Sequence, residues 1–466
     1  MLILFTIGVL LYSLGVCIAA LFGNVKAKQR IHGLLRQMRE FRFRRKAKKP
    51  LSIGDGDWIW FHAASLGEFE QGRPVIEAIK RDYPRIKILL SFFSPSGYEI
   101  RKDYPLADEV LYLPSDTAHH AKQWLQRHHF VAAFFIKYEF WFNYMKALKK
   151  ADIPLFYISL ILNEKSFFFK SYGSWFRRQL GNVTHFFVQD EKSEELLLDY
   201  GFENVTVCGD TRFDRVAAIA QQAKPFPEIE RFIGGRKCII AGSTWPPDER
   251  LLWAFLPDMP EDYCLIIAPH DISESHVAQI KALFPESMLY SEWSTLCQGH
   301  TEAQLNTDES TSCQCHTEAQ PNTNEPTLCQ CHTEAQPSVS IGSNILIVNT
   351  IGILSQLYQY ARFVYIGGGF GVNIHNIQEP VTFGCPVVFG PKYKSFKEAV
   401  DLVAMQGAFS IRDEEELRKV FNQLMYDDSS YRHASQTCRN YLKSQVGATE
   451  KIMQGFKNMV FSQKTA

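Results

Sequence analysis

The sequence predicts an α/β protein of two doubly wound domains, each built on a parallel sheet, preceded by one apolar helix. After residue 50, short and nearly continuous apolar runs alternate with segments of helical spacing, the pattern of parallel strands covered on both faces. Two prolines in Lys224-Pro225-Phe226-Pro227 interrupt this rhythm, and it then restarts. Residues 2–22 carry no charged side chain.

That first stretch has the length of a membrane span, since about 20 apolar residues cover a hydrocarbon core of ~30 Å. Lys26, Lys28, Arg30, Arg36, Arg39, Arg42, Arg44, Arg45, Lys46, Lys48 and Lys49 follow it against one acid, Glu40. Such an excess places the downstream chain in the cytoplasm. The expectation is a retained single-pass anchor over 1–23 and a basic juxtamembrane segment over 24–50. A cleaved signal peptide is the competing reading. Against it, no basic residue precedes the run, the run exceeds a signal core of ~7 to 15 residues, and the basic stretch after it resists translocation. Leu34, Leu35, Met38 and Phe41 recur at helical spacing, so 24–50 reads as a basic amphipathic helix on an anionic surface or as a solvated linker helix.

In the first half, strands are expected over 58–61, 86–92, 109–113, 130–136, 155–160, 185–188 and 205–208, with helices over 67–83, 121–127 and 140–149. In the second, strands fall over 238–241, 263–268, 345–348, 363–366 and 386–389, with helices over 248–255, 273–283, 351–360 and 396–405. The domains are therefore 51–224 and 225–466. Two such domains facing a central cleft would bind ligand at the carboxyl ends of their strands.

Composition narrows the function. With 466 residues and 46% hydrophobic content, the chain suffices for about two domains beyond the anchor. Formal net charge is zero, and with the basic excess confined before residue 50 the remainder is mildly acidic, which excludes broad nucleic-acid binding. Cys17, Cys208, Cys238, Cys264, Cys385 and Cys438 are scattered, mostly in apolar runs, as reduced core cysteines are. The remaining cysteines belong to a unit that recurs every 16 residues, Cys297-Gln-Gly-His300, Cys313-Gln-Cys315-His316 and Cys329-Gln-Cys331-His332. Thiolate and imidazole suit zinc, but the spacing fits no common finger and the Gln, Asn, Thr and Pro surroundings cannot bury a core. A disordered repeat insertion over 294–340 is expected.

Residues able to do chemistry follow strand ends. His62-Ala-Ala-Ser65-Leu-Gly67-Glu68 puts a carboxylate in the first turn of a helix, where it either accepts a proton from a bound hydroxyl or interacts with the helix dipole. Lys137-Tyr138-Glu139-Phe140-Trp141-Phe142-Asn143 repeats that arrangement. In Cys208-Gly209-Asp210-Thr211-Arg212-Phe213-Asp214, Arg212 either reaches a phosphate or pairs locally with Asp210 or Asp214. In the second half, Gly367-Gly368-Gly369-Phe370-Gly371 either brings backbone amides to a phosphate or forms a mobile loop, and it precedes His375-Asn376-Ile377-Gln378-Glu379-Pro380. The spacing is not the dinucleotide fingerprint. Ser243, Thr244, Pro269, His270, Ile351 and Gly352 occupy equivalent strand-end positions.

Taken in order, Ala64-Ser65-Leu66-Gly67-Glu68, Glu139-Phe140-Trp141-Phe142-Asn143, Gly209-Asp210-Thr211-Arg212-Phe213-Asp214, Gly242-Ser243-Thr244 and His375 to Pro380 resemble the bacterial Kdo transferases. These move 3-deoxy-D-manno-octulosonic acid (Kdo) from CMP-Kdo onto lipid A precursors in lipopolysaccharide synthesis. The resemblance runs from the anchor to the C-terminal helices. It implies a GT-B fold of two Rossmann-like domains, acceptor on the first and CMP-sugar on the second. It implies Glu68 as general base, Glu139 and Arg212 as transition-state stabilisers, and CMP contacts from Ser243, Thr244, Pro269, His270, Ile351, Gly352, Ile353, Asn376, Ile377, Gln378 and Glu379. The partners implied are CMP-Kdo, lipid IVA and inner-membrane lipids, with the catalytic domains facing the cytoplasm. No cofactor is implied. A metal-independent, inverting displacement is expected, because no Asp-x-Asp cluster follows a strand; a UDP-sugar donor and a non-catalytic scaffold are the alternatives.

The chain departs from the family pattern in places. The usual Glu-Thr-Glu-x-Trp-Pro-Asn reads Lys137 to Asn143 here, without the first acid and the proline. The usual lysine before Phe-Asp is Arg212, and the arginine before the histidine of the CMP pocket is Pro269. The Cys-His repeat has no family counterpart.

Overall fold

The computed structural model describes residues 1–46, 56–305 and 343–460. The chain forms two compact units, Met1–Ala217 with Ser444–Ala466, and Ala218–Lys443.

The first unit is a sheet of seven strands, β1 Trp58–Ala63, β2 Lys87–Phe92, β3 Glu109–Tyr112, β4 Phe130–Ile136, β5 Leu155–Leu160, β6 His185–Val188 and β7 Val205–Val207, in the order β3-β2-β1-β4-β5-β6-β7. Every pairing is parallel. Alternation then decides the two cores. Phe61, Phe134, Phe156 and Ile158 face one layer of helices, whereas Trp60, Phe135, Tyr157 and Leu160 face the other. Both faces are buried, so the strands read as unbroken apolar runs. The chain leaves β1 in one direction and returns to β4 on its other side, which makes the ends of β1 and β4 the topological switch point.

The second unit repeats the plan with β8 Lys237–Thr244, β9 Tyr263–Pro269, β10 Met288–Leu289, β11 Ile345–Ile347, β12 Ala361–Ile366, β13 Val387–Phe389 and β14 Ala408–Ser410. Their order is β10-β11-β9-β8-β12-β13-β14, and the switch point lies between β8 and β12. Its core joins Phe255, Phe363 and Phe421, with Phe421 4.9 Å from each of the other two rings.

Three expectations about segment boundaries are revised. The sequence division gave everything after residue 224 to the second domain. Instead helix Ala448–Val460 belongs to the first unit, because Ile452 and Phe456 on its apolar stripe are fully buried against that sheet, Phe456 lying 5.3 Å from Phe134 and 5.8 Å from Phe156. The repeat insertion does not begin at 294, since helix Tyr290–Leu305 continues through its first copy. Trp293 Nε1 holds that helix by donating to Glu228 O at 2.6 Å. The remaining copies, with Cys313, Cys315, His316, Cys329, Cys331 and His332, lie outside the described residues, and so does the choice between disorder and zinc. The helix expected over 351–360 is delayed by Gly352 at φ 94° and shortened to Leu354–Leu357 with a 3-10 turn Tyr358–Tyr360.

Helix Leu2–Leu21 is long and apolar enough to cross a membrane by length and composition. One of its faces lies along the first unit: Phe5 packs edge-on against Phe142 at 5.0 Å, and Ser13 Oγ is 2.8 Å from Ser115 Oγ. Helix Val25–Lys46 docks on the edge strand β3, not free as a linker. Gln37 accepts from Tyr112 N at 2.8 Å and donates to Tyr112 O at 3.0 Å, which satisfies an otherwise open strand edge. Gly33 permits the approach, because a Cβ there would lie 2.3 Å from the Tyr112 ring. Cys208, Cys238, Cys264, Cys385 and Cys438 are free and buried, and burial pushes the Cys208 and Cys385 thiols up to about 12.

Candidate active site

At the switch point of the first unit, His62 is the penultimate residue of β1 and is fully buried. Its Nε2 lies 3.0 Å from Glu139 Oε2, and its Nδ1 lies 2.9 Å from Ser91 Oγ. Trp141 Nε1 donates to the same Glu139 oxygen at 2.8 Å, and Tyr157 donates to the Glu139 carbonyl at 2.8 Å. An ionised Glu139 only accepts, so His62 must present Nε2–H to it, which leaves Nδ1 of the neutral ring to accept from the Ser91 hydroxyl. The turn that delivers Glu139 is strained: Lys137, just after β4, sits at φ 65°, a conformation costly for a residue with a Cβ.

Glu68 lies in the first turn of helix Leu66–Asp82, after β1, and accepts from the Ser65 hydroxyl. That helix approaches the sheet closely, because a Cβ on Gly72 would lie 2.2 Å from Ile136 Cδ1. Glu68 and Glu139 therefore stand at the ends of adjacent strands, and Tyr138 lies within electrostatic reach of Glu68.

Arg212 opens helix Thr211–Gln221 after β7. Its guanidinium pairs with Asp210 Oδ2 at 2.9 Å from Nε and 2.5 Å from Nη2, so the structure realises the local pair. Thr211 ties this turn to the Glu68 helix by donating to Gln71 O. Asp214 caps helix Ala448–Val460, accepting Gly447 N and Thr449 N at 2.6 Å each. Asp116 is a buried acid near the same strand ends, accepting from Asn143 N at 3.0 Å. Burial pushes its carboxyl up to about 7 despite that and other backbone donors.

In the second unit, β8 ends with Ser243 at φ 53° and buried Thr244, whose hydroxyl donates to Glu249 at 3.1 Å. Next stands Trp245, stacked on His270 at 4.8 Å, with His270 stacked in turn on His375 at 4.4 Å. Trp245 Nε1 donates to His375 Nε2 at 2.9 Å. An indole only donates, so this nitrogen carries no proton and the His375 tautomer is Nδ1–H. Burial, with His270 beside it, lowers the His375 pKa to about 4. The three rings give an aromatic platform at the carboxyl ends of β8 and β9.

The glycine run is a packed turn. A Cβ on Gly367 would lie 2.3 Å from Ser243 O, and one on Gly369 2.7 Å from Gly390. The amides of Gly367, Gly368 and Gly371 donate to Gly242 O, Asp248 Oδ2 and Gly368 O, which leaves the run poorly suited to cradle a phosphate. Helix Gln378–Thr382 has only 5 residues, too short for a strong dipole. Ile377 and Gln378 are buried at 1% exposure, Gln378 donating to Glu398 at 3.1 Å. Asn376 stays exposed and donates to Glu379 at 3.2 Å. Pro269 is buried within β9, whereas Ile351 is 81% exposed and Gly352 and Ile353 follow it at the end of β11.

Glu68, Glu139 and Arg212 thus share the strand ends of one sheet, and the second-half residues share those of the other. The roles of His62 and His375, and the presence of Asp116 and Trp245, are not read from the sequence. Only His62 and Trp245 had a signal, each being a polar ring at a strand end. Among the described residues no group of three or more His, Cys, Asp or Glu side chains converges as a metal site would.

A sequence model described as 3-Deoxy-D-manno-octulosonic-acid transferase (kdotransferase) matches residues 33–215. A 3-deoxy-D-manno-octulosonic acid transferase of Chlamydophila psittaci is 23% identical over 445 residues, 93% of this chain and 92% of that one. One of Aquifex aeolicus is 22% identical, covering 79% of this chain and 86% of its own length. Among solved structures, a UDP-GlcNAc 2-epimerase from Neisseria meningitidis bound to UDP-GlcNAc superposes with a TM-score of 0.51 at 13% identity, over 84% of this chain and 100% of that chain. A second UDP-N-acetylglucosamine 2-epimerase gives 0.54 at 12% identity, over 87% and 96%. These structural likenesses concern the fold, two Rossmann-like units of the GT-B type.

Proposed function

The chain belongs to the Kdo transferase family and is a glycosyltransferase of lipopolysaccharide biosynthesis, and from that membership we propose that it moves Kdo from CMP-Kdo to lipid IVA, a phosphorylated, acylated lipid A precursor. The observation that carries the chemistry is the pair of carboxylates at the switch point, Glu68 and Glu139, held differently. Glu139 is fixed by His62 and Trp141 and suits a stationary negative charge. Glu68 is held by one hydroxyl, Ser65, and suits proton transfer.

Loss of CMP builds oxocarbenium character at the anomeric carbon of the donor. Glu139 opposes that positive charge. Glu68 removes the proton of the attacking hydroxyl as the new bond forms, a contribution of ~10² to 10⁴ in rate. One displacement inverts the anomeric configuration. Arg212, turned from Asp210, neutralises the departing phosphate without a metal. The platform of Trp245, His270 and His375 stacks on the cytosine ring, worth about 1–3 kcal/mol per base in other nucleotide sites. Ser243, Ile351, Gly352, Ile353, Asn376 and Glu379 border the donor, while the buried Thr244, Pro269, Ile377 and Gln378 support that border from the core.

The anchor has a place in this reading: it confines the search for acceptor to the cytoplasmic face of the inner membrane. The sequence expects a single pass. Phe5 and Cys17 both border one cavity of the first unit and stand roughly 18 Å apart along the helix. That docking favours a helix lying along the leaflet, with its outer face in lipid, over one that leaves the protein to cross.

Calorimetric titration of the full chain with CMP and with UDP tests the donor. Preference for CMP, with the CMP affinity weakened in Trp245→Ala, supports the reading; preference for UDP rejects it in favour of a UDP-sugar donor.

A further inference from the structure

A cavity of about 700 Å³ lies between helix Leu2–Leu21, helix Val25–Lys46 and the strand ends that carry the carboxylates, within the ~300 to 1,000 Å³ of small-ligand sites. Its lining is mostly apolar, with Val9 and Val16 from the first helix together with Leu34 and Phe140, and it includes the polar side chains of Ser115, Asp116 and Glu139. A mostly apolar, partly open cavity with a few polar groups in its wall matches a chain that carries a polar headgroup.

Two further observations select the occupant. The outer face of helix Leu2–Leu21 leaves Leu4, Leu11, Leu14 and Ile18 exposed at 45–63%, an apolar surface that only lipid would cover at low cost. The cavity therefore opens beside acyl chains. Arg30 also lines it. The residue is 8% exposed, and its guanidinium donates to the carbonyls of Leu113, at 3.1 Å, and Phe93. Among the described residues it has no carboxylate partner. A buried cation so placed favours an anionic ligand.

We propose that this cavity receives an acyl chain of the phosphorylated lipid acceptor, with Arg30 beside its phosphate and the acceptor sugar at Glu139 and Glu68. The inference rests on the reading above that the acceptor is an acylated, phosphorylated saccharide, and goes beyond it by assigning the acyl chain to a cavity walled by the anchor helix itself. The anchor is then part of the acceptor site as well as a tether.

The test uses the full chain in nanodiscs with lipid IVA carrying a diazirine on an acyl chain, and compares wild type with Gly8→Leu. A Cβ at Gly8, which lines the cavity, would meet nothing within 4 Å, so the backbone tolerates a side chain that projects into this space; Val9→Phe is the second filling variant. Cross-links on Leu34 and Phe140 that vanish in both variants support the proposal, as does a fall of about tenfold in the ratio of kcat/KM for acylated over deacylated acceptor. Cross-links confined to Leu11 and Ile18, or cross-links at Leu34 unchanged by filling, overturn it, while transfer by wild type still upholds the functional reading. Cross-links in the cavity from a wild type that transfers Kdo to neither acceptor support the cavity and reject the functional reading.

Discussion

His62 Nε2 lies 3.0 Å from Glu139 Oε2, and this bond joins the ends of β1 and β4 where the order of the first sheet reverses. The histidine has no exposed surface, so its task is to orient the carboxylate. His62→Phe should cost about 1.5–3 kcal/mol, the worth of a hydrogen bond to a charged group, read as a fall of ~10- to 100-fold in kcat with little change in KM for the donor. His62→Gln, which keeps a donor, should recover part of it. An equal rise in donor KM would point to a general structural loss instead.

The aromatic platform gives a second expectation. Trp245→Ala removes one ring of the stack and the donor to His375. The Kd for CMP should rise about tenfold, in line with ~1–3 kcal/mol per stacked base. Calorimetry checks this, and an unchanged Kd in a folded variant would place the nucleotide elsewhere.

The pH response of His375 has a definite sign. Its folded pKa is lowered to about 4 from the usual 6.5, by burial first and by His270 second. Between those values the unfolded chain binds the proton that the folded chain refuses, so this group costs stability as pH falls from 6.5 to 4. His375→Gln should flatten that part of the stability curve. The imidazole of His375 should titrate near pH 4 by NMR; titration at 6.5 would mean the stack is open in solution.

Phe456 ties the last helix to the first sheet. Phe456→Ala opens a cavity against Phe134 and Phe156 and should lower stability by about 3–5 kcal/mol in chemical denaturation. A loss below ~1 kcal/mol would mean the helix is not held as described.

Much of this fold is legible in the sequence. Strands β4, β5 and β6 fall on the residues that their apolar runs mark, because a strand buried on both faces leaves no room for polar interruption. The division at residue 224 assigns the last helix to the second domain, because its apolar stripe fits either sheet and no local signal names the partner. The edge strand β14 and helix Asp428–Gln445 were missed for related reasons, one being short and the other mostly polar. At the site, Glu68 and Glu139 stand out as acids after apolar strands. The bond to His62 does not, since it joins residues 77 positions apart and depends on β1 lying beside β4. The pairing of Arg212 with Asp210 was one of two open readings, and rotamer choice decides it.

The central claim is that Glu68 is the base of a Kdo transfer to a lipid acceptor. The most direct measurement incubates wild type and Glu68→Gln with CMP-Kdo and tetraacylated lipid A precursor and weighs the products by mass spectrometry. The account expects Kdo-bearing product from wild type, and from Glu68→Gln a rate lower by ~10² or more with CMP binding retained. Turnover by Glu68→Gln at the wild-type rate, or no Kdo transfer by wild type, would contradict it.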